Sequence, residues 1–222
     1  MEDKKKKNKS NNVLMTNKDK RFSLQGLYAE SILQSSLGKI ESSIVALEQA
    51  LKIDPEYAPA ILSMGSVEYK RGNTERGKKL LLSLVSLPAS AADGGESDLA
   101  VIIDEAGDFL IQTSNYADGL ELFKAAAVRF PNQAVFHQGI GCCAGHEGLL
   151  DEAISASRVA LELEPENQNY INDLGWSLFK ASRLAEAKRI LSRAVDMDPS
   201  DELARENLRL CTKAINENTQ EE

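Results

Sequence analysis

Cysteine, histidine and tryptophan are scarce in this chain of 222 residues, which holds three, two and one of them. Two of the cysteines are neighbours, Cys142 and Cys143, so they read as no disulfide framework and fit a reducing compartment. The Asn8-Lys9-Ser10 sequon then carries no meaning. With so little histidine and no nucleophile elbow, acid–base or covalent catalysis has nothing to stand on, and the chain is expected not to be an enzyme. No stretch reaches the ~20 apolar residues of a membrane span. The charged N-terminus is not followed by the apolar core of a secretory signal, because Val13 to Met15 is too short, so the expected location is cytoplasmic. Aromatics at 5% and six prolines disfavour a sheet protein, while recurrent Ala, Leu and Glu favour helix, which makes the expected fold class all-α.

Charge is uneven along the chain. Met1 to Arg21 holds eight basic residues against three acidic ones, a net +5, and since the whole chain carries −8 the remainder carries −13. So acidic a body repels phosphate backbones and is expected not to bind nucleic acid. Residues 1–22, rich in Lys and Asn, cannot bury enough surface to offset chain entropy and are expected to form a disordered basic tail. The functional alternative is an arm that touches acidic lipid, RNA or the acidic body itself.

What the chain has in abundance is a repeat. Gly141, Ala153, Ala160 and Pro165 recur 34 residues later as Gly175, Ala187, Ala194 and Pro199. Carried backwards, the frame meets Gly107, Phe123, Ala126 and Pro131, then Gly65, Gly72, Leu81 and Leu84, then Leu27, Gly38, Leu47, Ala50 and Pro55. Five units follow, at about 24–57, 58–88, 100–133, 134–167 and 168–201. The first is degenerate, with Glu30 and Ser31 where other units carry an apolar residue and glycine.

Each unit reads as two helices. Ile171, Leu174, Gly175 and Leu178 stripe one, and Ala187, Leu191 and Ala194 the other, with a turn at Ser182 and Arg183. Small residues let the two backbones approach, so Gly141→Leu is expected to overpack the crossing at a cost of about 1–3 kcal/mol. Residues 89–99, rich in Ser, Gly and Ala, interrupt the frame and read as a tolerated surface insertion, with a hinge or docking segment as the alternative. Ala204, Leu208, Cys211 and Ile215 stripe one further helix over 202–217, with Ser200 as a plausible N-cap, closing the end of the stack. Residues 218–222 are expected to fray.

Small residues at places eight, twenty and twenty-seven of the unit, apolar residues at four and seven, and proline at thirty-two resemble the tetratricopeptide repeat. Leu174-Gly175, Ala187, Ala194 and Pro199 carry the match in the last unit. Gly77 and Gly119, where alanine is usual, depart from it. The resemblance covers about 24–201 plus the final helix and implies a right-handed α-solenoid of about five helix pairs, whose concave face is lined by the first helix of each pair. It also implies a function in binding other proteins.

Places five, nine and twelve lie on a face apart from the packing stripe. They hold Tyr28, Ile32 and Ser35; Leu62, Ser66 and Tyr69; Asp104, Asp108 and Ile111; Gln138, Cys142 and Gly145; Asn172, Trp176 and Phe179. The expected groove therefore gathers apolar anchors at Tyr69, Trp176 and Phe179, and acids at Asp104 and Asp108 that would prefer a basic or amphipathic partner segment. Some tetratricopeptide proteins grip a terminal carboxylate with Lys and Asn. Here those places hold Tyr28, Ile32, Ser63, Val101 and Glu105, so that clamp is not expected.

Two other signals come to little. Gly72 to Lys79 nearly spells a phosphate-binding loop, but Lys79 stands where Ser or Thr would hold magnesium and a helix precedes it. Cys142, Cys143, His137 and His146 lack the spacing of a zinc site. No cofactor and no metal are expected, and the small cysteines read as core. The function expected is a non-catalytic scaffold that binds a partner peptide or helix in the groove. The alternatives are a self-associating assembly protein and an adaptor tethered through the basic tail.

Overall fold

The computed structural model describes residues 17–218, among which there are eleven α-helices and no strand. They follow one another as α1 (Asn17–Ser36), α2 (Ile40–Ile53), α3 (Ala58–Lys70), α4 (Thr74–Ser83), α5 (Glu96–Gln112) and α6 (Tyr116–Arg129). Then come α7 (Ala134–His146), α8 (Leu150–Leu163), α9 (Gln168–Lys180), α10 (Leu184–Met197) and α11 (Glu202–Asn218). No helix among the described residues is long and apolar enough to cross a membrane.

The turn inside each pair is chemically the same. Gly38, Gly72, Ser114, Gly148 and Ser182 all sit in the left-handed region, with φ of 73, 85, 60, 76 and 58°. The next backbone N–H then closes back onto the last turn of the helix: Lys39 to Gln34, Asn73 to Glu68, Asn115 to Leu110, Leu149 to Ala144 and Arg183 to Leu178, all at 2.8–2.9 Å. This is the long bond of a Schellman cap, which satisfies an otherwise orphaned carbonyl and reverses the chain.

The pairs close over glycine. A β-carbon added to Gly65 would lie 2.5 Å from Leu81 Cδ2, and one added to Gly175 2.6 Å from Leu191 Cδ2. The Phe123 ring covers both Gly107, in its own pair, and Gly139 of the next helix. Leu81, Leu191 and Phe123 are fully buried, and each such side chain contributes on the order of 1.5–3 kcal/mol relative to exposure.

The odd-numbered helices from α3 to α11 touch in succession, whereas among the even-numbered ones only α4 and α6 meet to a comparable extent. The odd helices therefore line the inner side of the curved stack. Each of α6, α8 and α10 also packs on the helix that follows it.

Four sequence expectations change. Of the segment expected to be disordered, residues 1–16 lie outside the described residues, but 17–22 are helical and open α1. Arg21 Nε and Gln25 Nε2 donate to the two carboxylate oxygens of Asp93, at 2.7 and 2.9 Å, and Lys20 pairs with Asp54 at 3.4 Å. Partners more than thirty residues away hold this turn, which no local pattern reveals. At the other end α11 runs through Asn218, and 219–222 lie outside the described residues.

The 89–99 insertion is not a loose surface loop. It holds a 3-10 turn at Ala89–Ala91, after another at Leu84–Ser86, and its last residues belong to α5. Leu87, Ala91, Ala92 and Leu99 are buried in the main core. From the far side Arg129 Nη1 donates to the Val85 and Leu87 carbonyls, at 2.7 and 2.6 Å, while its Nη2 meets Glu96 at 2.8 Å. The extra residues stand where α4 would otherwise pack on α5, and the turn at Leu84–Ser86 takes over that contact.

Finally, the N-cap of α11 is Asp201 rather than Ser200. Its Oδ1 accepts from the Leu203 and Ala204 N–H groups at 2.8 and 3.1 Å. Ser200 instead spends its hydroxyl on Asp198, at 2.6 Å.

Candidate groove and cleft

The inner face of α5, α7 and α9 carries the accessible part of the expected groove. Asp104 and Asp108 stand on α5, Gln138 and Cys142 on α7, and Trp176 on α9, where it remains 36% exposed. Trp176 leans on Phe179 with ring centroids 5.2 Å apart.

Other expected groove residues belong to packing. Leu62 and Tyr69 are buried, and the Tyr69 hydroxyl donates to Asp118 at 2.8 Å while its ring meets Phe109 edge-on at 5.8 Å. Asn172 is buried beneath α11, where Asn207 Nδ2 donates to its Oδ1 at 3.1 Å. Tyr28 packs edge-on to Tyr57 at 6.1 Å, Ile111 joins the main core, and Phe179 lies against the C-terminal cluster with Leu208 and Ile215. A helix-angle rule finds the inner side of one helix. It does not account for the next helix, which covers part of that side.

The inner face is strongly acidic, and its chemistry follows from burial. Asp104 is pushed up to about 6, first by desolvation and then by the charges of Asp108 and Glu105. The structure shows why no bond offsets this. Gln138 Nε2 donates to Asp173 Oδ2 at 3.1 Å, and Asn207 donates to Asn172, so polar side chains 35 residues apart bridge successive inner helices. From Asp104 the same step arrives at Gly139, which has no side chain to offer. Asp173 is also raised by burial, and the bond from Gln138 partly opposes that shift.

Neither cysteine of α7 is an activated thiol. Cys142 is pushed up by burial and then by the carboxylates of Asp173 and Asp108. Cys143, wholly buried, is pushed up to about 12, again chiefly by desolvation. Both stay protonated at neutral pH, the opposite of what a nucleophile needs. His137 Nε2 lies 3.0 Å from the Pro131 carbonyl, and His146 stacks flat on Tyr116 at 3.9 Å. Among the described residues no group of three or more His, Cys, Asp or Glu side chains is placed to hold a metal.

Between α7, α8 and α9 a cleft of about 250 Å³ opens onto this face. Gln138, Cys142, Ser157, Asp173, Ser177 and Trp176 are among its lining, with the exposed His146 and Lys180. Of these, Ser157, Asp173, Ser177 and Lys180 escaped sequence reasoning as site residues. The 35-residue step between polar side chains would have pointed to Asp173.

A family model described as tetratricopeptide repeat matches residues 24–57, the unit whose sequence departs furthest from the pattern. Small glutamine-rich tetratricopeptide repeat-containing protein 2 of Mycosarcoma maydis is 26% identical over 102 residues, which cover 46% of this chain and 29% of that protein. Superkiller protein 3 of Schizosaccharomyces pombe is 25% identical over 162 residues, 73% of this chain and 12% of that protein. The chain thus spans less than a third of the length of either relative. Among solved structures, YrrB, described as a TPR protein with an unusual peptide-binding site, superposes with a TM-score of 0.55. It is 22% identical, and the match covers 81% of this chain and 89% of that one. This likeness shows the fold.

Proposed function

The chain is a tetratricopeptide repeat protein, and from that premise we propose that it is a non-catalytic scaffold that receives a segment of another protein along the inner face of α5, α7 and α9. The observation that carries this reading is Trp176. The only tryptophan of the chain stands partly exposed at the mouth of a cleft, on the same side as Asp104, Asp108 and Asp173. A large aromatic beside a concavity is the side chain that most often anchors a partner. The surrounding acids favour a basic or amphipathic segment by charge complementarity and add to its association rate. The raised thiols of Cys142 and Cys143 argue against thiol chemistry on this face.

The test is partner recovery from a cell extract on immobilised full-length chain. Trp176→Ala and Asp108→Lys should each lose the partner that the unaltered chain retains. Equal recovery in both variants refutes the groove.

A second reading has its own observation. Ile32, Leu33, Leu37 and Val45 are all exposed on the first helix pair among the described residues. Self-association there predicts a sedimentation coefficient that rises with concentration, and a constant monomer value removes it. The tail-tethered adaptor rests on the basic residues of 1–22, of which 1–16 lie outside the described residues, and predicts salt-sensitive binding that is lost when 1–20 are deleted.

A further inference from the structure

The cleft beside Trp176 exists because one unit breaks a packing rule that the others keep. In each pair from α3 to α10 a glycine of the first helix faces the residue sixteen places on: Gly65 faces Leu81, Gly107 faces Phe123, Gly175 faces Leu191. In the fourth unit Gly141 faces Ser157. A hydroxymethyl group stands where the other units place a leucine or phenylalanine, and the space it leaves is the cleft.

The floor of this space is polar. Ser157 is 3% exposed and Ser177 8%, and both line the cleft. Among the described residues neither hydroxyl has a hydrogen-bond partner, yet no side-chain polar atom sealed from solvent is left unsatisfied. The two hydroxyls therefore open onto the cleft, where water or an occupant bonds them. A ligand that displaces water from this floor loses about 1–3 kcal/mol for each hydroxyl it leaves unpaired, so two of them at one place favour a ligand that can pair with both.

Charge decides which ligand. Asp173 lines the cleft with one carboxylate oxygen tied to Gln138 Nε2 and the other free to accept. Asp108 does not line the cleft, but it stands exposed on the neighbouring helix α5 and adds to the negative charge of this face. Of the other lining residues, His146 lies flat on Tyr116, and the cation Lys180 is exposed to solvent. The volume of about 250 Å³ admits one extended side chain, being worth roughly eight waters.

We propose that this cleft is a specificity pocket for an arginine side chain of the partner segment, its guanidinium bonded by Asp173, Ser157 and Ser177 and its plane lying on Trp176. Guanidinium fits better than ammonium because it is planar, weakly hydrated and carries five donors in a fork that can reach several acceptors at once. Its face also stacks on an indole. The pocket rests on the groove reading above, but it makes a narrower claim.

Trp176 reports on it directly, because no other tryptophan contributes to the fluorescence. The full-length chain is titrated with capped pentapeptides that are glycine except for a central Arg, Lys, Leu or Glu. The arginine peptide should shift the Trp176 emission saturably, the lysine peptide should do so more weakly, and the leucine and glutamate peptides should not. Ser157→Leu restores the packing of the sister units, so it should fold at least as well as the unaltered chain and weaken the arginine peptide by about tenfold or more. Asp173→Asn leaves the volume alone and should weaken it as well. A silent arginine peptide, an equal response to leucine or glutamate, or full binding by both variants overturns the pocket. Partner recovery that is lost in Trp176→Ala but kept in Ser157→Leu would retain the groove and reject the pocket alone.

Discussion

Leu191 lies so close over Gly175 that a β-carbon on the glycine would stand 2.6 Å from the leucine Cγ and 3.3 Å from its backbone nitrogen. The nitrogen cannot move without shifting α10, and the Cγ can move only by turning a side chain that is fully buried. At the equivalent place Gly141 would meet Ser157 Oγ at 2.7 Å, a single atom that can rotate toward the cleft. Gly175→Ala should therefore destabilise by about 1–3 kcal/mol through overpacking. Gly141→Ala should be close to neutral, since alanine recovers roughly 0.5–1 kcal/mol over glycine inside a helix. Urea unfolding of the two variants side by side checks this, and equal losses would contradict it.

Ser114 and Ser182 hold left-handed backbone where three sister turns use glycine. A side chain in that region costs roughly 1–2 kcal/mol, which glycine avoids. Ser114→Gly and Ser182→Gly should each raise stability, by on the order of 1 kcal/mol once the extra chain entropy of glycine is deducted. Gly148→Ala should lower it by a similar amount. A thermal midpoint that falls in the serine variants would show that the hydroxyls have a role the turn geometry does not reveal.

How far the sequence reveals the molecule depends on the range of the interaction concerned. Helix pairs were legible because Gly175, Ala187 and Pro199 act within one unit, and a frame of 34 residues exposes them. The start of α1 was not, because Arg21 and Gln25 find Asp93 in a segment whose composition reads as loop. Leu87, Ala91 and Ala92 likewise belong to a core that they share with residues of α3, α5 and α6, far from them in sequence. The groove was half legible. Trp176 and Asp108 lie where helix spacing puts them, while Asn172 has the same spacing but lies under α11. Ser157 was visible in the frame as the one small residue at a place otherwise held by Leu47, Leu81, Phe123 and Leu191. It is an exception to the repeat, and a search for shared residues passes over it.

Arg129 ties the insertion to the third unit. Its guanidinium bonds two carbonyls and one carboxylate, and the side chain is 23% exposed. Arg129→Ala leaves the Val85 and Leu87 carbonyls unpaired and should cost about 1–3 kcal/mol. Arg129→Lys should recover little, because a point-like ammonium cannot reproduce the fork. Hydrogen exchange should quicken over residues 84–92 in both variants while α9 to α11 stay protected. Acceleration spread evenly along the chain would mean that Arg129 supports the whole stack and not this joint.

Asp104 supplies the last prediction, a dependence on pH whose sign follows from its surroundings. Its folded value of about 6 lies above the ordinary 3.8, so between those values the folded chain binds more protons than the unfolded one. Stability contributed by this group should therefore fall as pH rises from about 4 to 6, and the cost of the ionised carboxylate persists above that range. Asp104→Asn removes the charge and should stabilise the chain at pH 7, with little effect near pH 4. The partner should respond in the opposite sense, because a basic segment needs Asp104 ionised. Binding should strengthen between pH 5 and 7 in the unaltered chain, and less so in Asp104→Asn. Unfolding at pH 4 and pH 7, with the carboxyl followed by NMR, separates the two effects. A gain in stability from Asp104→Asn that is the same at both pH values would show that the substitution acts through packing and not through the buried charge.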